Sequence, residues 1–222
     1  GGYATVYLAQ NKKTGDEVAY KQLSTGLRIK QLINFSREVS TMARVHHPFL
    51  LKLYGFSPNK PLTIVTEYIP NGSLFEFMQS ESKRKRLTNT RRTLIAMGIA
   101  HAMAQLHKLG IIHRDIKSLN IFLDGDLLPR LGDFGIARYV TDDEPMTMRL
   151  GTPHWMAPES LKDANSYGPE VDVYSFAMLL YELLTNSIPW QGMDPMTVIT
   201  NVVINKERPE IPEDTAEPLR DL

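Results

Sequence analysis

The apolar residues of this 222-residue chain change their period near residues 67–72, and this change limits the folds that the chain can adopt. Before that point the sequence has β-rich runs bounded by turn residues, at residues 5–9, 17–23, 51–57 and 62–68. After it the sequence has long helical segments, at residues 89–109 and from Pro169 to about Thr185. A strand-rich part followed by a helical part predicts an α+β protein.

One helix is predicted within the strand-rich part, over residues 29–45. His47-Pro48 ends it, because proline disfavours the α conformation in the residue before it. Glu38 lies on the same face as Met42, four residues later. Helical spacing predicts one buried stripe, made by Ile29, Leu32, Phe35, Val39, Met42 and Val45.

Composition excludes several classes of function. The chain has 25 Lys+Arg and 25 Asp+Glu, so it lacks the broad basic field that non-specific nucleic-acid binding needs. It has no cysteine, which excludes a disulfide scaffold and a thiol nucleophile, and we expect a cytoplasmic protein. The most apolar stretch, residues 171–184, is interrupted by Asp172, Ser175 and Glu182. We therefore expect neither a membrane span nor a signal peptide.

The strongest motif lies in the roughly 60 irregular residues between the two helical segments, a kind of segment that is usually functional. His113-Arg114-Asp115 is followed by Asn120, which matches the pattern H-R-D-x-x-x-x-N. Four fixed residues at this spacing arise by chance about once in 10⁵ positions. The alternative interpretation is a polar turn ahead of a strand.

Further patterns occur in a consistent order around it. Asp133-Phe134-Gly135 and Ala157-Pro158-Glu159 follow, and Val18-Ala19-Tyr20-Lys21 precedes with the pattern V-A-x-K. Taken singly, D-F-G is as often a turn as a metal site, and Lys21 and Glu38 would be solvated charges. Their joint order indicates instead that Lys21 and Glu38 form an ion pair.

These motifs resemble the eukaryotic-type protein kinase domain over nearly the whole chain. The resemblance implies a bilobal fold, with a small β-rich N-lobe containing one helix at residues 1–67 and a larger, mainly helical C-lobe at residues 68–222. Aligning Val6 with the valine of the family's glycine-rich loop puts Gly1 at its second glycine, Tyr3 at its aromatic tip and Ala4 at its third glycine. The first glycine and the family's last helices would lie beyond the chain, which we expect to be truncated at both ends.

The resemblance also implies ATP and Mg²⁺ as cofactors. Lys21 would hold the α- and β-phosphates, with Glu38 orienting it, while Asn120 and Asp133 would bind the metal ion. Asp115 would accept the proton of the substrate hydroxyl, and Lys117 would steady the transferred phosphate.

The nucleotide pocket follows from the same resemblance. Val6 and Ala19 would form its ceiling and Phe122 its floor, with Thr66 as gatekeeper ahead of the hinge residues Glu67 and Ile69. By this resemblance the nucleotide-binding residues would be Gly1, Gly2, Tyr3, Ala4, Val6, Ala19, Lys21, Thr66, Glu67, Ile69, Phe122 and Asp133. An internal column linking the lobes would consist of Met42, Leu53, Phe134 and His113.

Lys117 and Thr152 resemble the serine/threonine-specific pattern, and the surrounding sequence is similar to the tyrosine-kinase-like group. The expected partner is thus a protein substrate with Ser or Thr hydroxyls. Arg114 could pair with a phosphorylated Thr147 or Thr141, modified by an upstream kinase or by the protein itself, although both could equally be ordinary exposed threonines. Asp172 would anchor the backbone of the catalytic loop.

The main alternative is a pseudokinase scaffold that binds nucleotide and partners without efficient transfer, which Ala4 and the missing ends would favour. A small-molecule kinase is disfavoured, because the A-P-E element and the preceding Gly-Thr-Pro form a platform for protein substrates. The basic run at residues 83–86 resembles a nuclear-import signal, but a solvated loop is the favoured interpretation.

Overall fold

The first part of the chain folds as a four-stranded antiparallel sheet with one helix. The computed structural model describes residues 4–24, 26, 28–139, 152–162, 167–213 and 215. The bounds are β1 Ala4–Gln10, β2 Glu17–Leu23, α1 Ile29–Arg44, β3 Leu53–Ser57 and β4 Thr63–Glu67. The strands pair in the order β1-β2-β4-β3, and the helix α1 connects β2 to β3.

The second part is mainly helical. Its helices are α2 Leu74–Gln79, α3 Glu81–Arg84, α4 Asn89–Lys108, α5 Pro158–Lys162, α6 Glu170–Thr185 and α7 Pro195–Ile199, which continues as a π-helix over Thr200–Asn205. The short strands are β5 Ile111–Ile112, β6 Ile121–Leu123, β7 Pro129–Leu131 and β8 Arg138–Tyr139. Two 3₁₀ turns lie at Ser118–Asn120 and Pro153–Trp155. The α+β class and the two-part architecture are confirmed, while the boundary between residues 67 and 68 stays a prediction.

Local sequence signals set the ends of the longest helix. The Thr88 hydroxyl accepts a hydrogen bond from the Arg91 N–H at 3.3 Å, which caps the start of α4. Gly110 has a φ of 70° just beyond its last turn, a conformation that glycine adopts without steric cost. Among the described residues, no helix has both the length and the apolar character to cross a membrane.

The predicted buried stripe of α1 is wrong at its beginning. Ile29 and Leu32 are 77% and 44% exposed, whereas Phe35 and Val39 are buried against Leu23 and the sheet. The core that the helix covers begins only after its first turn, so helical spacing alone overstates the length of the buried face.

The two parts share one apolar core and are also joined by charge. Met42 of α1 belongs to the same cluster as Phe134. Arg130 of β7 lies between two carboxylates, with its guanidinium 3.7 Å from Glu67 of β4 and 3.0 Å from Asp124. The lobes are thus connected by packing, and at the end of β4 also by this chain of ion pairs.

Candidate active site

Lys21 and Glu38 meet between the sheet and α1. Lys21 Nζ lies 2.7 Å from Glu38 Oε1 and 2.9 Å from Oε2, so the predicted ion pair is confirmed. Strand β2 runs between β1 and β4, where Lys21 pairs with Val6 on one side and Ile64 on the other. Both partners of the ion pair therefore project from rigid elements.

The surroundings of Lys21 favour its charged form. Burial opposes the charge, but the attraction of Glu38 and Asp133 outweighs burial and holds the pKa of Lys21 above its ordinary value. Asp133 comes from the C-terminal part, and Gly135 lies beside both side chains, since a Cβ at Gly135 would be 3.4 Å from Asp133 Oδ1 and 4.0 Å from Glu38 Oε2. The cleft therefore holds a permanent cation, which suits the binding of phosphate oxygens.

Asp115 lies in a dense set of hydrogen bonds in the loop before β6. Lys117 Nζ donates to both Asp115 carboxylate oxygens at 2.8 Å and to Thr152 Oγ1 at 2.9 Å. Asn120 Nδ2 donates to Asp115 Oδ2 and to its backbone carbonyl, both at 2.8 Å. The carboxylate is thus fixed in one orientation, and three of the predicted catalytic residues are in direct contact.

Helix α6 anchors the loop that contains Asp115. The carboxylate of Asp172 is fully buried and accepts the backbone N–H groups of His113 and Arg114, both at 2.8 Å. It also lies 2.8 Å from His107 Nε2. Arg114 has a φ of 68°, which a non-glycine residue rarely adopts, so the Asp172 contacts hold a strained backbone in place.

Asn120 and Asp133 supply oxygen atoms suited to a magnesium ion. The Gly132 N–H donates to the Asn120 carbonyl at 2.9 Å, which brings the residue before Asp133 against Asn120. Mg²⁺ prefers carboxylate and amide oxygens and keeps several waters or phosphate oxygens, so two protein ligands are sufficient. No cluster of three His, Cys, Asp or Glu side chains is found in the described part of the chain. The donor set therefore fits Mg²⁺.

The expected ceiling of the nucleotide pocket lies on one face of the sheet. Val6 pairs with Lys21 and Ala19 with Thr66, and residues two apart on a strand share a face. Ala4, Val6, Ala19, Lys21 and Thr66 accordingly face the same side, with Val6 62% exposed. Phe122 lies in β6 of the other lobe, where its ring borders Gly132.

Glu67 turns its side chain away from this face. Its carboxylate accepts the Lys52 N–H at 2.8 Å, and its own N–H donates to the Lys52 carbonyl at 3.0 Å. The Glu67 carbonyl accepts the Thr66 hydroxyl at 3.2 Å. Ile69 lies two residues further on, and its carbonyl accepts the Gly72 N–H at 3.3 Å.

The internal column predicted to link the lobes is present. The His113 and Phe134 rings lie edge to face with centroids 5.1 Å apart, and Met42 and Leu53 join the same apolar cluster. Of the other predicted residues, Gly1, Gly2, Tyr3, Thr141 and Thr147 lie outside the described part of the chain.

Sequence reasoning missed two residues of α6 that reach the site. Ser175 Oγ donates to the Trp155 carbonyl at 2.8 Å. Glu182 is fully buried and accepts the Ser118 N–H at 3.0 Å, the Ser118 hydroxyl and the Trp155 Nε1–H at 2.8 Å. The sequence contained a signal for both residues. Asp172, Ser175 and Glu182 interrupt an apolar helix at intervals of three and seven residues, and these intervals place them on one face of the helix.

Comparisons with known proteins agree with this geometry. The family described as protein kinase domain matches residues 1–222. A probable serine/threonine-protein kinase of Dictyostelium discoideum is 39% identical over 96% of this chain, which corresponds to 16% of that protein. The Arabidopsis thaliana serine/threonine-protein kinases STY17 and CTR1 are 35% and 36% identical over 93% and 96% of this chain, covering 36% and 26% of their own lengths. The chain thus spans well under half of each of these relatives.

Proposed function

Because the chain belongs to the protein kinase domain family, we propose that it transfers the γ-phosphate of ATP to serine and threonine hydroxyls of protein substrates. One observation carries the proposal: Lys117 Nζ contacts both the Asp115 carboxylate and the Thr152 hydroxyl. The contact supports the proposal because it joins the proposed base Asp115, the Lys117 cation and Thr152, a residue of the proposed substrate platform, in one small site. The relatives named above as serine/threonine-protein kinases support the same class of substrate.

Binding of ATP is assigned to groups from both lobes. The Lys21 ammonium, oriented by Glu38, would contact phosphate oxygens, while the sheet face bearing Val6 and Ala19 would cover the base. Asn120 and Asp133 would hold Mg²⁺, which when bound offsets the negative charge of the phosphates. The transition state of phosphoryl transfer is loose and highly charged, so positioning and charge compensation are most of what the protein must supply.

The reacting hydroxyl would lie against Asp115. Its oxygen attacks the γ-phosphorus while its proton moves to the Asp115 carboxylate, and the bond to the β-phosphate oxygen breaks to release ADP. Asn120 and Lys117 keep the carboxylate aimed, and the Lys117 ammonium stabilises the charge on the transferred group. Among the described residues only Ala4 was expected to favour the pseudokinase scaffold, whereas the contacts of Lys21 with Glu38 and of Asp115 with Lys117 and Asn120 support transfer.

Regulation and location remain further proposals. Arg114 Nε donates to the Ile136 carbonyl at 2.6 Å, so its guanidinium lies beside the segment that follows Gly135. This supports a role in recognising a phosphorylated threonine of that segment, Thr141 or Thr147, after modification by an upstream kinase or by the protein itself. We also propose a place in signal transduction, as part of the proposed kinase function, and a cytoplasmic location, which the lack of cysteine supports.

The direct test measures transfer of labelled phosphate from ATP to a generic basic protein. The chain should label Ser and Thr, whereas Lys21→Met and Asp115→Ala should reduce labelling to background. Lys13→Met, which alters an exposed lysine of the β1–β2 turn, is the matched control and should label normally. Equal background labelling by all four proteins, with nucleotide still bound, would contradict the proposal and favour the scaffold.

A further inference from the structure

The basic run of residues 83–86 is exposed and adopts a defined structure. Lys83 and Arg84 end α3, and the Arg86 N–H donates to the Lys83 carbonyl at 2.9 Å, which forms a turn after the helix. The Lys83 ammonium and the Arg86 guanidinium lie 5.7 and 5.6 Å from the centre of the Phe77 ring. A cation over an aromatic ring is attracted to it at such distances. The run is therefore a helix end and a turn, with its basic side chains presented at one place on the surface.

Cations outnumber carboxylates around this run. Residues 81–92 contain six Lys and Arg side chains and one acidic side chain, Glu81, although the charge of the whole chain is balanced. Glu81 forms an exposed ion pair with Lys85 at 3.3 Å, and it is the one carboxylate at ion-pair distance from residues 83–86 within the described part of the chain. Burial, together with the repulsion of Arg84, lowers the pKa of Arg92 near the start of α4. The cations therefore repel one another, and an anionic partner would relieve this repulsion.

Helix α2 connects the basic run to the loop that contains Asp115. The helix packs against the 3₁₀ turn Ser118–Asn120, and the Leu123 N–H donates to the Gly72 carbonyl at 3.0 Å, just before α2 begins. Ser80 ends α2 and begins α3. The six residues of α2 and the four of α3 rise by about 9 and 6 Å, a distance that an extended peptide covers with about five residues. The run is thus within reach of a peptide whose hydroxyl lies at Asp115.

The composition of the run favours a protein partner over a lipid surface. Segments that adsorb to membranes combine basic side chains with apolar ones that enter the lipid. Residues 81–86 contain no apolar side chain, and Leu87, which follows them, is buried. A stretch of Asp and Glu needs no apolar insertion, because its carboxylates pair with cations that stay at the surface.

We propose that the basic run docks an acidic segment of the protein substrate, a stretch of Asp or Glu residues about five to eight positions from the acceptor Ser or Thr. The inference rests on the proposed function, because this distance is counted from a hydroxyl at Asp115. The contact lies away from the reacting groups, so it stabilises the bound substrate and the transition state equally. Such uniform binding lowers KM and leaves kcat unchanged.

Peptide kinetics test the docking. Two peptides share one acceptor sequence, and a stretch of Glu in the first is replaced by Gln in the second. The stretch is placed before the acceptor in one pair of peptides and after it in another pair. In at least one pair, the parent should have a KM about 10-fold lower for the Glu peptide and the same kcat for both peptides.

A charge-matched pair of variants locates the effect. Arg84→Gln combined with Lys85→Gln should raise KM for the Glu peptide by about 3- to 10-fold and leave KM for the Gln peptide unchanged. Lys12→Gln combined with Lys13→Gln removes the same charge from the exposed β1–β2 turn and should change neither value. A ratio of the two KM values that is near one in the parent, or that is equal in the parent and the Arg84→Gln/Lys85→Gln variant, would overturn the proposal.

Direct binding separates this proposal from the proposed function. Fluorescence anisotropy of a labelled Glu-rich peptide without Ser or Thr measures docking in the absence of transfer. The peptide should bind the parent, more weakly as ionic strength rises, and bind the Arg84→Gln/Lys85→Gln variant several-fold more weakly. A parent that binds this peptide but transfers no phosphate to any peptide contradicts the proposed function alone, whereas transfer that is independent of the Glu stretch contradicts the docking alone.

Sedimentation with vesicles of phosphatidylcholine and phosphatidylserine tests the other polyanion. The parent should stay in the supernatant at physiological ionic strength. Sedimentation of the parent but not of the Arg84→Gln/Lys85→Gln variant, together with equal KM values for the Glu and Gln peptides, would assign the run to a lipid surface and overturn the proposal.

Discussion

Two residues of the site have backbone conformations that their side chains disfavour. Arg114 has a φ of 68° and Asp133 a φ of 62°. Such residues persist where their surroundings fix them, and Asp172 does so for Arg114 through a backbone hydrogen bond. At this scale, the activity proposed here depends on single side chains that are held by a few hydrogen bonds each.

Asp115 gives the most direct prediction at the residue scale. Asp115→Asn keeps the size of the side chain but cannot take a proton, so kcat should fall by about 10²- to 10⁴-fold. Affinity for ATP, measured by calorimetry, should remain, because the role proposed for Asp115 concerns the substrate hydroxyl and not the nucleotide. The exposed Asp16→Asn serves as control. Transfer at the parent rate by Asp115→Asn would remove Asp115 from the mechanism.

Glu182 gives a prediction about pH and stability. Its pKa is raised in the folded state by burial, so the folded chain binds more protons than the unfolded chain between the unfolded pKa, about 4.5, and the folded one. The contribution of Glu182 to the free energy of unfolding is therefore complete below its pKa in the unfolded chain and is lost as pH rises through its pKa in the folded chain. Each pKa unit by which the folded and unfolded chains differ changes the free energy of unfolding by about 1.4 kcal/mol.

The measurement is urea unfolding between pH 4.5 and 8. The free energy of unfolding of the parent minus that of Glu182→Gln should fall as pH rises. The same difference for Glu81→Gln, at an exposed glutamate, should stay nearly flat. A parent-minus-variant difference that increases with pH would show that folding lowers this pKa.

At the scale of elements, the sequence predicts those whose signals are local. The four strands of the sheet, α1, α4 and α6 follow from periodicity, caps and turn residues, and all lie within a few residues of their predicted bounds. The burial of the first turn of α1 could not be predicted from periodicity, because it depends on where the sheet beneath the helix ends. Ser175 and Glu182 were visible only as interruptions, since their partners are 20 and 64 residues away in the chain.

The end of α4 gives a prediction for this scale. Gly110→Ala should lower the free energy of unfolding by about 1 kcal/mol, because alanine is strained at a φ of 70° although no atom lies near the added methyl group. Gly125→Ala is a matched control, since Gly125 has equal space around it and no positive φ. Urea unfolding measures both, and equal stability of the two variants would contradict the argument.

At the scale of the whole molecule, nucleotide binding would join the lobes. Lys21 and Glu38 come from the sheet and α1, whereas Asn120 and Asp133 come from the C-terminal part, so a ligand that needs all of them bridges the cleft. The same division explains why the motifs alone could not give the geometry: their residues are separated by up to 112 positions in the chain. Their distances are set by tertiary contacts between the lobes, namely the shared apolar core and the ion pair between Arg130 and Glu67.

Thermal unfolding tests this bridge. A ligand at 100 times its Kd stabilises the folded state by about 2.7 kcal/mol, and a lower Kd gives a larger effect at the same concentration. If Mg²⁺ strengthens ATP binding, ATP with Mg²⁺ should raise the Tm of the parent more than ATP with EDTA. In Asp133→Asn the extra rise due to Mg²⁺ should disappear. Asp126→Asn, at an exposed aspartate, should behave as the parent. A full Mg²⁺ effect in Asp133→Asn would exclude Asp133 as a ligand.

The position of Arg130 has a mechanical consequence. Glu67 and Thr66 are neighbours on β4 and point to opposite faces of the sheet, so the Glu67–Arg130–Asp124 chain lies on the side opposite Lys21. If the lobes separate while these ion pairs are kept, the motion must be a rotation about a hinge on that side of the sheet. The cleft at Lys21 can then open to release ADP while the Glu67–Arg130 side stays closed. Raised ionic strength weakens partly exposed ion pairs, so it should make this hinge less rigid.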